Sequence, residues 1–180
     1  MVVFTIGHST RPLDELVGIL HDAGVTRIVD VRAFPMSRRH PQFNRDALSV
    51  SLPAAGIDYR HLPALGGRRG AKKTGPSRNG LWKVEAFRNY ADYAETPAFS
   101  AALDELEALA RQRPTAYMCA EALWWQCHRR LITDYLLTRG WTVIHLLGPG
   151  QRQNAALTPG AVPQQDGTVW YPAPQPGLLG

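Results

Sequence analysis

The chain opens on a short apolar run, Val2 to Ile6, that reads as a buried strand. Behind it Leu13, Leu16, Val17 and Leu20 recur at the i, i+3, i+4, i+7 spacing of a helix with one inward face. Pro12 suits the first turn of that helix, Asp14 and Glu15 its positive end, and Gly24 its stop. Gly7 is expected to allow a tight turn, with His8, Ser9 and Thr10 leading into the helix. A second strand is expected over 26–32 and a third over 57–62. Between them, Pro35 and Pro41 forbid regular helix until Asn44, which should cap a helix from Arg45 to about Ala55, closed by Gly56. Val84, Phe87, Tyr90, Ala91 and Ala94 mark a further helix. Phe99, Leu103, Leu106 and Leu109 mark the inward face of the next, capped by Thr96-Pro97. Thr115–Cys119 reads as a fourth strand, followed by a helix to about Thr138, the stop Gly140, and a fifth strand over 141–147.

Strands alternating with helices predict an α/β fold. The expectation is a single domain over 1–147, with a mostly parallel five-stranded sheet and helices on both faces. From Gly148 the pattern fails among prolines 149, 159, 163, 172, 174 and 176, so 148–180 reads as an irregular tail. Val169-Trp170-Tyr171 can pin one piece of it to the body. Right-handed crossovers place the strand C-termini along one rim. Gly7-His8-Ser9, Arg32, Leu65-Gly66-Gly67, Cys119-Ala120-Glu121 and His145 fall there.

Composition narrows the class. A chain of 180 residues suits one domain, and no run approaches the roughly 18 apolar residues of a membrane span. The start lacks the basic region of a signal peptide, so a cytoplasmic protein without a membrane partner is expected. Its two cysteines then read as thiols rather than a structural disulfide. The net charge of +5 is uneven: Arg68, Arg69, Lys72, Lys73, Arg78 and Lys83 form a block without an acid. Such a block attracts phosphate-bearing partners, nucleic acid included, or is merely a solvated loop.

Candidate chemistry concentrates in 118–130, which holds both cysteines, Glu121, His128, Arg129 and Arg130 where a strand hands over to a helix. Helix-terminal amides there favour an anion, either a thiolate or a bound phosphate. Leu131, Ile132 and Tyr135 form the inward stripe of the helix, and His128 and Cys127 share that side. A cysteine beside an imidazole ionises below its free value of about 8.5 and becomes a nucleophile. Cys119 is the first candidate and Cys127 the second, with Glu121 and His128 to move protons. The competing readings are core packing for the sulfurs, a redox-active pair, and a metal site without the paired Cys-x-x-Cys pattern.

Asp30 inside an apolar strand is a brace for an arginine or a catalytic carboxylate. Arg32, Arg38 and Arg129 are candidate anion ligands; His8 and Ser9 are candidate substrate contacts or, for Ser9, a cap. Trp124-Trp125 is a stacking platform for a base or ordinary packing.

Three stretches together resemble a known family. They are Thr5-Ile6-Gly7-His8-Ser9; Val29-Asp30-Val31-Arg32 with Pro35, Ser37, Arg38 and Phe43-Asn44; and Met118-Cys119-Ala120-Glu121 with Cys127-His128-Arg129. Tyr59, Leu62, Leu65-Gly66-Gly67 and Gly140 to His145 extend the likeness over about 3–147. The family is the one labelled domain of unknown function four-eight-eight. The resemblance implies a compact α/β domain and brings no settled reaction. Its motif positions here are His8, Asp30, Arg32, Cys119, Glu121, Cys127 and His128. One departure is that similar proteins carry a proline between the glutamate and the Cys-His pair, where this chain has Ala122-Leu123-Trp124-Trp125-Gln126.

The leading expectation is a small cytoplasmic enzyme, a cysteine-dependent hydrolase or transferase without a cofactor. It would act on an anionic small molecule, with a nucleotide or nucleic acid as the best guess. The rivals are a non-catalytic nucleic-acid-binding module using the 66–83 stretch with Trp82, Trp124 and Trp125, and a zinc-binding protein.

Overall fold

A computed structural model describes residues 1–70 and 75–174. In chain order the elements are β1 (Val2–Gly7), α1 (Leu13–Asp22), β2 (Arg27–Asp30), α2 (Arg45–Ala54), β3 (Asp58–His61), α3 (Glu85–Ala94), α4 (Pro97–Gln112), β4 (Thr115–Cys119), α5 (Arg129–Thr138), β5 (Thr142–Gly148) and β6 (Gln151–Asn154). A two-stranded hairpin of β7 (Val162–Pro163) and β8 (Val169–Trp170) follows. The main sheet has the order β3-β2-β4-β1-β5-β6. The five expected strands run parallel, and β6 is added antiparallel against β5.

The period-2 pattern of the strands divides the core. Ile6, Ile28, Ala116 and Met118 turn to the face covered by α1 and α2, through Leu16, Leu20, Leu48 and Leu52. Val3, Val29, Tyr117 and Val143 turn to the face covered by α3, α4 and α5, through Tyr90, Phe99, Leu103, Leu106, Leu131 and Ile132. Helices on both faces leave the rim at the strand C-termini as the place for loops and polar side chains.

Two local readings change in the structure. The helix expected directly after Cys119 begins only at Arg129. The backbone carbonyls it would need are engaged elsewhere. Cys119 O and Ala120 O accept from His8 N and Ser9 N at 3.0 and 2.8 Å, and Glu121 O accepts from Arg129 Nη2 at 2.6 Å. The segment between is loop with one 3₁₀ turn, Trp124–Gln126. Asn44 sits at the cap of α2, yet its Oδ1 accepts from Ser37 N at 2.6 Å and so ties down the proline-bounded loop instead.

The end of the described chain is pinned where expected. Val169 and Tyr171 are buried. Tyr171 donates to Asp134 Oδ2 on α5 at 2.9 Å, and its own N–H donates to Asn79 Oδ1 at 3.0 Å. Among the described residues no helix is long and apolar enough to cross a membrane.

Gly7 is required by packing rather than by turn geometry. A Cβ there would lie 1.8 Å from the Glu121 carbonyl oxygen, which is backbone and itself held by Arg129. Gly7→Ala should therefore destabilise the fold by about 2–4 kcal/mol, read as a lowered urea midpoint; an unchanged midpoint would refute this role.

Candidate active site

A cavity of about 430 Å³ opens where the ends of β2 and β4 meet the start of α5. Cys119, Cys127, His128 and Arg32 line its inner part, with Gly67 from the loop after β3 and Tyr90 and Phe87 from α3. Phe34, Met36, Arg68 and Glu121 also line it. Residues from the opening third and from the sulfur-bearing segment thus share one solvent-reachable space.

Each reactive group is placed by a different constraint. Cys119 is the last residue of β4, so the sheet fixes it. Cys127 is held by N–H donation to Trp124 O at 3.3 Å, the closing bond of the 3₁₀ turn. His128 is the cap residue of α5, with its Nε2 3.0 Å from the carbonyl of Val31, the residue after β2. A carbonyl only accepts, so Nε2 carries the proton and Nδ1 of the neutral ring presents a lone pair. That lone pair faces both sulfurs, at 3.6 Å from Cys127 Sγ and 3.8 Å from Cys119 Sγ. Tyr90 meets the ring edge-on, with centroids 5.1 Å apart. Gly67 closes the other side: a Cβ there would lie 2.6 Å from Nδ1.

The two thiols are unequal. For Cys127, burial opposes ionisation. Hydrogen bonds with the Cys119 thiol and with His128, and the nearby Arg129 charge, outweigh it and hold the thiol well below its ordinary value. Cys119 is pushed well above, first by its hydrogen bond to Cys127 and then by burial. Its Sγ also lies 3.4 Å from Glu121 Oε2. A single negative charge shared by the pair, centred on Cys127, is the arrangement these contacts favour. The N-terminus of α5 and Arg129 supply positive potential beside it.

The remaining candidates fall into supporting positions. Asp30 is fully buried and accepts from Arg32 N, Nε and Nη2 at 3.1, 2.8 and 2.6 Å and from the Tyr59 hydroxyl at 2.6 Å. Arg32 also bonds Phe43 O at 2.7 Å and His8 Nε2 at 3.0 Å, so most of its donors are committed. His8 stacks on Phe43, and its Nδ1 donates to Ser9 O at 2.9 Å. Ser9 takes a left-handed φ of 51° and stands outside the cavity lining. Arg38 is exposed and also outside it. Arg129 is buried, bonded to Thr5 Oγ1 at 3.0 Å, and acts on the sulfurs through its charge rather than by lining the cavity.

Trp124 stacks on buried His145 at 4.3 Å and 3°, which is packing, while Trp125 is exposed. In the basic stretch, Arg69 bonds Gly66 O and Ala64 O at 3.1 and 2.8 Å and lies 3.7 Å over the Tyr93 ring. Arg78 pairs with Glu95 at 3.5 Å and lies over Trp170. Lys72 and Lys73 lie outside the described residues.

Sequence reasoning missed the Val31 carbonyl, Tyr90, Phe34 and Met36, and gave Gly67 no role beyond the rim. Backbone carbonyls carry no residue signature, and Tyr90 was absorbed into a helical stripe. The exposed pair Phe34 and Met36 in a proline-bounded loop was a usable signal, since large apolar groups outside any period have no core to enter.

A family model described as Domain of unknown function DUF488 matches residues 12–136, which include Asp30, Arg32, Cys119, Glu121, Cys127 and His128. No curated protein and no solved structure matches the chain.

His8 and His145 both have pKa values lowered to about 4, chiefly by burial, with Arg32 and Arg129 respectively adding to it. Both are neutral in the folded protein at pH 7. Below pH about 6.5 the unfolded chain binds protons that the fold refuses. Stability is therefore full above that pH and falls towards pH 4, by up to about 3 kcal/mol for each imidazole. His145→Phe keeps the stack on Trp124 and removes one of the two groups. It should shrink the loss of stability between pH 7 and 4.5 by about 2 kcal/mol relative to the parent chain; an equal loss in both, by urea titration, would refute the assignment.

Proposed function

We propose that this chain, which belongs to the DUF488 family, is a small thiol-dependent hydrolase or transferase acting on an anionic substrate. Cys127 is the attacking sulfur, His128 carries the proton, and Cys119 and Glu121 set the charge of the pair. The observation that carries the reading is the His128 ring. Its Nε2 is committed to Val31 O, and its Nδ1 lone pair is aimed at both sulfurs inside an open cavity. The order of the cysteines is reversed from the sequence expectation. Cys119 ends a strand and its thiol donates to Glu121 Oε2 at 3.4 Å, whereas Cys127 lies 3.6 Å from His128 Nδ1 in the helix-terminal field.

The proposed step conserves protons. As the Cys127 thiol ionises, its proton passes to the lone pair of His128 Nδ1. The sulfur forms a bond to the electrophilic centre, and the leaving group departs with its bonding pair and takes that proton. Water or another acceptor then displaces the sulfur and returns a proton to Nδ1. The free thiols fit a reducing compartment, and we assign the enzyme to the cytoplasm.

Iodoacetamide labelling with peptide mapping tests the reading. Cys127 should react with a pH midpoint below the ordinary thiol value of about 8.5, and His128→Ala should slow it about tenfold at pH 7. Gly67→Ala, whose Cβ would lie 2.6 Å from Nδ1 and so displace the ring, should slow it in the same direction. Absence of labelling at either cysteine in the native protein sinks the proposal.

One observation favours a second reading. Cys119 Sγ, Cys127 Sγ and His128 Nδ1 lie within 4.8 Å of one another, and the other ring nitrogen is on a carbonyl. That is the donor set of a zinc site with an open position. Elemental analysis decides it: about one zinc per chain, lost in Cys127→Ser, would replace the nucleophile by a ligand, and a metal-free protein that takes up none on titration leaves the thiol reading alone.

A further inference from the structure

We propose that the mouth of this cavity holds a nucleoside monophosphate unit, with its ring against Phe34 and its phosphate on Arg68. The inference deepens the thiol-enzyme reading by naming the substrate class of the same cavity.

The basic stretch looks like a broad electrostatic surface in sequence, yet most of its described cations have partners within the molecule. Arg69 is bonded to three carbonyls, those of Pro63, Ala64 and Gly66, and stacked on Tyr93. Arg78 is paired with Glu95, and Lys83 Nζ bonds Gly80 O at 3.3 Å. Arg68 differs. It lines the cavity, has no carboxylate within ion-pair distance among the described residues, and lies 5.9 Å from the Phe34 ring centroid. A guanidinium without an internal anion at a cavity mouth calls for an anion from outside, and a phosphate takes its planar fork bidentately.

The apolar part of the lining asks for a flat ring. Phe34 is 70% and Met36 78% exposed, so both present most of their apolar surface to the cavity and to solvent. Phe87, which lines the same cavity, is braced by stacking on Trp82, with centroids 5.2 Å apart at 18°. Base-on-aromatic stacking is sequence-tolerant and strong enough to hold a single unit, and about 430 Å³ admits one nucleotide but not a duplex. The unit is therefore a free nucleotide or one residue of a single strand, splayed from its neighbours.

Cys127→Ser, first shown to melt as the parent does, separates binding from chemistry. It is titrated calorimetrically with AMP, GMP, CMP, UMP and TMP, with the matching nucleosides, and with a short single-stranded oligonucleotide. At least one monophosphate or the oligonucleotide should bind with Kd below about 1 mM. Adding Arg68→Ala should weaken that ligand about tenfold and leave the nucleoside unchanged, as loss of one charge-assisted bond predicts. Adding Phe34→Ala should weaken nucleotide and nucleoside alike. Binding of monophosphates assigns the free nucleotide, and binding of the oligonucleotide alone assigns a strand. No binding of either at about 5 mM, or binding indifferent to Arg68→Ala, overturns the proposal. Thiol labelling at Cys127 is read separately, so the failure of one leaves the other standing.

Discussion

The hydrogen bond from His128 Nε2 to the Val31 carbonyl is the contact on which the site depends. It joins the residue after β2 to the cap of α5, two parts of the chain 97 positions apart. It also decides which nitrogen is bare. Remove that carbonyl and the imidazole is free to take the other tautomer or to turn, and neither sulfur has a fixed base. The surroundings reinforce the same orientation: Tyr90 edge-on, Gly67 without a side chain, and the rigid β4 end beneath. A catalytic group held by a backbone acceptor has little freedom to lose when substrate arrives.

Below that contact lies a buried polar layer that the fold must accommodate between sheet and α5. Thr5, Arg129, Tyr117 and Thr133 are linked through bonds of 2.6–3.0 Å. On the other side Asp30, Arg32, Tyr59 and His8 form a second buried network. Burying a carboxylate and a guanidinium is costly unless every donor and acceptor finds a partner. Asp30 does, which explains why an aspartate is tolerated at a fully buried strand position.

Legibility in the sequence followed the length scale of the cause. The five parallel strands and five helices were readable because burial imposes periodicity over many residues, as in Leu13 to Leu20. The clustering of Cys119, Cys127, His128 and Arg32 was foreseeable because each falls just past a strand end or near a helix start. The late start of α5 was not, because it depends on carbonyls claimed by His8, Ser9 and Arg129, which are distant in sequence. Nor was β6, whose exposed Gln151-Arg152-Gln153-Asn154 carries no apolar alternation. Charge was the least legible, because partners distant in sequence decide it: Arg69 is held by carbonyls and the Tyr93 ring, while exposed Arg78 pairs with Glu95 and lies over Trp170.

Tyr171 reaches back to Asn79 across 92 residues and rests 5.2 Å from Trp82, the ring on which Phe87 is stacked. One wall of the cavity is thus buttressed by nearly the last described segment of the chain. During synthesis the sheet and both thiols would emerge well before this buttress, because the sulfurs precede it by more than forty positions. A nascent chain would carry its reactive sulfurs before the pocket around them is complete, and a ribosome-bound intermediate would be open on that side until the final turn docks.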